Sequence, residues 1–460
     1  MAEFRRSIRY ASVLLAITSA GSAGAQERSS GLAAAYRAAL QRDPDWLGAS
    51  ADADASAENE DQAKALFRPK VGIMATGGYG GATADVTLPP PVQDIDRVRL
   101  SGATLAGVAI AQQPIVNGQA RAQARQLRAG AKAGAAQRDA ARLQLALRVA
   151  DAYFAVLGAR QELMSYQAQE ATARREQRAA QARFDAGRAR ITDVREAQAR
   201  GDGAKAQSIA AQARLETSVA RYGELTGLDG DTVVSLRPDL APRLPVGSIR
   251  DWQARAEAAS PVVIARRHAA DAATFRIDEF GWRSRVTVDA VGAAGTLRAP
   301  GQDGVAALNG VTGYTVALRL QMPLYTGGGL ESQRRQAMLQ ARAAREQVDA
   351  ARRDVRLNVQ QAWTGQASSV AAIAALNTAV VSARLRERAA LTGRDVGIRT
   401  QSDVLMAQAA TIETERQLND AQRDYERSRL ALLASANQLD EKALQMIDLD
   451  FAPDQPIGDD

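Results

Sequence analysis

Very little in this sequence can make or break bonds. There is no cysteine, which removes disulfides, thiolate nucleophiles and Cys-ligated zinc or iron–sulfur sites. His268 is the only imidazole, so a His-rich metal site is gone and a catalytic triad would have to use that one ring. It follows Arg266 and Arg267 within a helical pattern, where an exposed side chain is expected. Gly327-Gly328-Gly329 resembles a phosphate cradle only superficially. No Lys-Ser/Thr follows, and the run sits at a strand-to-helix turn where glycine relieves the backbone. Carboxylates are too abundant for a catalytic pair to stand out. We therefore expect no enzyme, no cofactor and no metal. Two aspartates do occupy matching places, Asp193 and Asp403, each after a Gly-containing turn, where the simplest job is to N-cap a helix.

The elements around them follow from composition. Aromatics are 4% of the 460 residues, low for stacking nucleobases or filling a bulky core. The basic residues are overwhelmingly Arg and alternate with acids along helical faces, which reads as solvated surface and not a nucleic-acid footprint. Arg5, Arg6 and Arg9, the apolar stretch 10–20 and Ala23-Gly24-Ala25 form a signal peptide over residues 1–25. Its removal takes the net charge from +6 to +4. The apolar stretch is too short to span a bilayer, which needs about 20 residues. Without cysteine there is no lipid anchor at the mature N-terminus, and no transmembrane helix is expected further on. The chain is then periplasmic, secreted, or embedded through β-strands.

It is also written twice. Gln112-Gln113-Pro114-Ile115-Val116-Asn117-Gly118 returns as Gln321-Met322-Pro323-Leu324-Tyr325-Thr326-Gly327, an offset of 209. Asp185-Ala186-Gly187 returns as Asp395-Val396-Gly397, and Thr192-Asp193-Val194 as Ser402-Asp403-Val404, both offset by 210. Asp43-Pro44 and Ser260-Pro261 follow similar Ala-rich runs, offset by 217. We expect a first repeat over 26–236, a Pro-rich linker at 237–248, a second repeat over 249–449 and an acidic tail at 450–460.

Each repeat reads as a helix (31–66 and 249–280), two strands (70–80 and 99–113; 284–297 and 311–324) and a long antiparallel helical hairpin (117–184 with 192–225; 328–394 with 402–439). The last strand alternates, with Tyr314, Val316, Leu318, Leu320 and Met322 on one face. The long helices are Ala, Arg, Gln, Glu and Leu, the strong helix formers. Between Gln167 and Arg183 no large apolar residue occurs, so that stretch cannot anchor an ordinary core. A rod packed on two edges and wet on two faces suits the wall of a hollow cylinder. A plain coiled coil would carry Leu or Ile continuously at a and d. Four strands leave open edges that hydrocarbon does not permit, and closed barrels need about eight or more, so several chains must share one barrel.

These residues resemble the TolC family of outer-membrane export channels. The carriers are the two strand-to-helix turns, Arg183-Phe184-Asp185-Ala186-Gly187 leading to Ile191-Thr192-Asp193-Val194, Leu225-Thr226-Gly227, and Val396-Gly397-Ile398-Arg399-Thr400 leading to Ser402-Asp403-Val404-Leu405. The resemblance implies a mainly α chain with a membrane β-barrel part. Three copies would form a 12-stranded β-barrel continuous with a 12-helix α-barrel. It implies a homotrimer in outer-membrane lipid that reaches across the periplasm to a periplasmic adaptor protein and an inner-membrane ABC or proton-driven exporter. Its cargo would be an exported protein, repeat-in-toxin proteins included, or a drug. The alternative is a periplasmic coiled-coil adaptor or structural protein. The family closes its periplasmic end with polar links and an acidic ring, whose positions match Thr192, Asp193, Arg399 and Asp403. Where Arg394 stands the family has a tyrosine, and where Met406 stands a second ring carboxylate. Arg394 would then pair with Asp193, a latch worth about 0–1 kcal/mol when partly exposed. Asp403 repeated by threefold symmetry, at a separation of about 4 Å, would repel its copies by about 1–4 kcal/mol per pair and favour cations.

Overall fold

A computed structural model describes residues 31–86, 95–237, 240–299 and 308–451; the expected signal peptide, most of the expected acidic tail and parts of the two strand-connecting loops lie outside the described residues. The chain runs α1 (Leu32–Arg42), α2 (Pro44–Ala57), α3 (Asn59–Ala65), β1 (Lys70–Val86), β2 (Ile95–Asn117), α4 (Gly118–Asp185) and α5 (Ile191–Thr226). A second series follows in the same order: α6 (Ile249–Ala259), α7 (Pro261–Glu279), β3 (Thr287–Ala299), β4 (Leu308–Gln321), α8 (Gly329–Asp395) and α9 (Gln401–Ser435), then α10 (Glu441–Asp448).

Several boundaries differ from the sequence expectation, each for a local reason. The first helix of each repeat is broken. Pro44 and Pro261 lack the N–H that would continue the ladder and instead open α2 and α7 at the first helical position. Asp43 caps α2 by accepting from Trp46 N at 3.0 Å. The last helix stops at Ser435, because Asn437 turns left-handed at φ 55° and Asp440 caps a separate α10 by accepting from Ala443 N at 2.8 Å. Strand β4 ends at Gln321, ahead of Pro323.

The four strands form one antiparallel sheet in the order β1-β2-β3-β4. Register decides its faces. Ile73 lies opposite Ala109, Ala109 opposite Ala294, and Ala294 opposite Tyr314, so these four share a face. Val71, Tyr79, Leu105, Val316, Leu318 and Leu320 fall on it by the same pairing. This face is apolar yet bare: Ile73 is 84% exposed, Tyr314 86% and Val316 81%. The opposite face is mixed: Lys70, Thr104, Gln112, Asp289, Thr315, Arg319 and Gln321 share it with Met74, Val108, Ile110 and Val291, and Asp289 lies directly across from Arg319. One oily face and one that carries the charges is the pattern of a membrane barrel segment. Val316→Arg should therefore cost about 2–4 kcal/mol in bilayer insertion, whereas Thr315→Arg on the other face should be tolerated. Urea titration of the protein folded into liposomes checks this; equal effects of the two would reverse our facing.

Below the sheet, α4 has 68 residues and α8 has 67, rods of roughly 100 Å. Each pairs with the helix after it through a tight turn. From 167 to 183 of α4 the only buried residue is Ala180, so this stretch is wetted, in line with its lack of large apolar residues. One helix, α8, contains an 18-residue window of mean hydropathy 1.4, long and apolar enough to cross a membrane by that measure, where none was expected. Alanines alternate there with Val370, Ile373, Leu376, Val380 and Val381. Antiparallel α9 lies beside it, with Ser428 against Gly365 and Glu415 bonded to Arg384 at 2.7 Å. Any bilayer around α8 would thus have to hold Glu415, Arg416, Asp420, Arg423 and Asp424 as well, a prohibitive set.

The main core sits mid-rod, where α1, α4, α5, α9, α10 and the segment 228–236 ahead of the linker converge. Tyr153 and Phe154 of α4 are fully buried there with Tyr222 and Phe451. Tyr153 meets Phe451 edge-to-face at 5.3 Å, and its hydroxyl accepts from Val234 N at 2.8 Å. The two repeats are bolted together here, which fixes the direction in which both hairpins project.

Candidate functional site at the helix-turn end

The far end of the rods consists of two turns built the same way. After α4, Gly187 adopts φ 71° and Arg188 N donates to Arg183 O at 2.7 Å. After α8, Gly397 adopts φ 81° and Ile398 N donates to Gly393 O at 2.8 Å. Both are Schellman closures, which need a residue without a Cβ penalty at the left-handed position. The second turn is tighter. A Cβ on Gly393 would come within 2.7 Å of Arg399 Cγ, so glycine there lets the Arg399 stem fold over the helix end.

Asp193 and Asp403 stand at the third position of α5 and α9; the N-caps are Arg190 and Thr400. This shifts by three residues the capping expected from sequence. Asp403 Oδ2 accepts from Thr400 N and from Thr400 Oγ1, both at 2.8 Å, while Thr400 Oγ1 accepts from Asp403 N at 3.1 Å, a complete capping box. Thr400 N–H, then the Thr400 hydroxyl, hold the Asp403 carboxyl below the usual range, so it is charged at neutral pH. Asp193 Oδ2 accepts from Arg190 N at 3.1 Å; an Arg side chain has no acceptor to return the bond, so this box is half made. Thr192 and Arg399 are exposed on their respective turns.

Within the chain, Arg394 and Asp193 do not pair. Arg394 Nη2 donates to Asp395 Oδ1 at 2.8 Å, and its Nη1 lies 3.4 Å from Gln401 Oε1. Gln401 Nε2 then donates to Glu176 Oε1 on α4 at 3.1 Å. Partial burial raises the Glu176 carboxyl above its ordinary range, against the lowering effect of the Gln401 bond and of Arg200 and Arg183. The bond from one hairpin to the other thus runs Arg394–Gln401–Glu176. Sequence reasoning missed Glu176 and Gln401, which are 225 residues apart and indistinguishable in type from their neighbours. The groove between the hairpins is lined by Thr172, Arg200, Gln207, Ser402, Met406 and Glu415 among others, which puts the Met406 thioether on that wall.

Two hairpins with a charged, hydrogen-bonded tip, hung from a sheet with one oily face, are what a family model describes as "Outer membrane efflux protein" matches, over residues 35–228 and 256–438. The chain belongs to this family. It is an outer-membrane channel for efflux or secretion, and not an enzyme. Outer membrane protein TolC of Vibrio cholerae is 28% identical over 89% of the channel and 91% of that relative. Alkaline protease secretion protein AprF of Pseudomonas aeruginosa is 25% identical over 92% of the channel and 87% of that protein. Among solved structures, the Campylobacter jejuni CmeC outer membrane channel superposes with a TM-score of 0.75 at 16% identity, covering 92% of the channel and 90% of that chain. The two matched segments fall one in each half of the duplication.

Proposed function

We propose that three copies of this chain close one 12-stranded barrel in the outer membrane, continuous with a 12-helix tube through the periplasm. A periplasmic adaptor and an inner-membrane exporter would dock on its far end, and folded-out protein cargo would pass through it, as in type I secretion. The observation that carries this reading is the sheet. One face is oily and bare, the other mixes Lys70, Asp289 and Arg319 with apolar residues, and the outer strands β1 and β4 have no neighbour within the described chain. Hydrocarbon tolerates no such open edge. Charged groups on the lining suit hydrophilic cargo, and a relative named for alkaline protease secretion supports a protein. Efflux of small molecules is the second reading, favoured by the family's description and by a relative named outer membrane efflux protein BepC. Deleting the gene and comparing secreted proteins with drug susceptibility separates them: loss of a secreted protein without drug sensitisation supports the first.

The tip residues Thr192, Asp193, Arg394, Arg399 and Asp403 form the gate in this reading, with residues 1–25 removed on export. Glu176 and Gln401 join them as the tie between hairpins. Asp403 repeated around the axis sets ion preference. Asp403→Ala and the cap-competent Asp403→Asn should both reduce cation over anion permeability in planar bilayers, by roughly fivefold. Selectivity lost in the Ala variant alone would instead assign Asp403 to capping only.

A further inference from the structure

We propose that the upper part of the tube is sealed by an electrostatic seam, in which an arginine ridge on α8 of one copy meets the acidic edge of α2–α3 on the next. The inference rests on the trimeric reading above and adds which surfaces meet and why.

Near the sheet, the wall of one chain is four helices wide. α3 and α2 lie against α4, α4 against α7, and α7 against α8, so α2–α3 and α8 are the two free margins. On α8, the buried residues Ala337, Ala341, Val348, Ala351 and Val355 mark the stripe that faces α7. Between Arg334 and Arg356 the helix carries seven arginines against three acids, a net +4. At about 100° per residue, Arg335, Arg342 and Arg353 lie roughly 150° around from the α7 stripe, on the free margin. They are exposed and make no ion pair among the described residues, whereas Arg352 and Arg356 are taken by Asp349 and Glu257. Glu346 is the acid interspersed on that margin.

The opposite margin has the opposite sign. Residues 44–65 hold six acids and one lysine, a net −5. Asp45 and Glu60 bind Arg148 and Arg128 of α4. Asp54, Glu58 and Asp61, spaced i, i+4, i+7, form an exposed stripe on one flank, and only Asp61 has a partner, Lys64 at 2.7 Å.

The heights match. Arg276 of α7 reaches Gln340 of α8, Asp278 of α7 binds Arg125 of α4, and Arg128 of α4 approaches Glu60, so these residues share one level. Lower down, Leu147, Pro261 and Val355 line one cleft beside the Arg148–Asp45 pair. Stretch 340–355 of α8 therefore runs level with 60–45 of α2–α3. Cyclic symmetry rotates a copy about the axis without sliding it along, so the same stretches meet between neighbours in a head-to-tail ring. The helices run in opposite directions, one entering the sheet and one leaving it, which turns both charged stripes to the same radial side.

The test uses charge reversal in the full-length protein in detergent. The set Arg335→Glu, Arg342→Glu, Arg353→Glu and the set Asp54→Lys, Glu58→Lys, Asp61→Lys should each lower the trimer fraction about tenfold, since like charges now face each other. The six-fold swap should restore it, and the parent trimer should loosen in high salt. Because the chain has no cysteine, Glu58→Cys with Arg342→Cys gives a background-free check: a bismaleimide should link copies into covalent trimers, and neither single variant should link beyond dimers. Intact trimers after each reversal, with no cross-linked trimer, would overturn the seam and leave the trimer standing. A monomeric parent chain would overturn the trimer itself.

Discussion

Tyr153→Ala should destabilise the channel protomer by about 3–5 kcal/mol, the cost of emptying a large aromatic site in a packed core. Tyr153 is wholly buried and touches three other rings: Phe154, Tyr222 and Phe451, at 6.0, 6.2 and 5.3 Å. It also holds the segment leading into the linker, since its hydroxyl accepts from Val234 N and donates to Val234 O at 3.3 Å. Burial pushes that hydroxyl's pKa up, so it stays a neutral donor and acceptor. Tyr153→Phe keeps the ring and orphans a buried N–H, for a smaller loss of about 1–3 kcal/mol. Thermal unfolding followed by circular dichroism, together with limited proteolysis of the linker at 237–248, measures both. Equal losses for the two variants would mean that the hydroxyl, and not the ring, holds the joint.

Glu426→Gln should stabilise the protein at pH 8 and matter little at pH 5. Glu426 is fully buried, 3.3 Å from Arg429, which itself binds Asp450 at 2.6 Å. Burial pushes its carboxyl up to about 7; Arg429 pulls it down less, and Asp450 adds to the rise. The sign follows from linkage. The folded state holds this proton up to about pH 7 while the unfolded chain releases it near 4.3, so stability falls as pH rises through that interval. The whole penalty, about 4 kcal/mol at most, is present above pH 7. Glutamine cannot ionise and escapes it, while Arg429 keeps Asp450. Other groups titrate too, so the quantity to read is the difference in melting temperature between variant and parent across pH 5–8. A difference independent of pH would show that Glu426 stays charged throughout.

The sequence disclosed the plan of the molecule better than its joints. Duplication, paired strands, rods and turns are local in origin. Alternation at 314–320, proline-free alanine helices and Gly187 or Gly397 each act within a few residues, so periodicity and turn chemistry report them. The breaks at Pro44 and Pro261 were visible as repeated dipeptides, yet apolar periodicity continues across them and hid the two-helix character. What escaped entirely depends on distant partners. Tyr153, Tyr222 and Phe451 are scattered aromatics until the fold brings them together, and the Glu176–Gln401 bond joins two indistinguishable alanine-rich seams. The tip aspartates follow their turns, as the chain order shows, but their bonds to Arg190 and Thr400 set them one turn inside the helix and not at its cap.

The bare margins of the sheet have a genetic consequence. A strand whose backbone groups wait for a sibling cannot enter lipid on its own, so a misshapen copy made in the same cell is not simply discarded. In the proposed trimer it would be recruited beside healthy ones and would spoil the pore they share. Alleles altering β1 or β4 should accordingly behave as dominant, while those that prevent a chain from folding at all should be recessive.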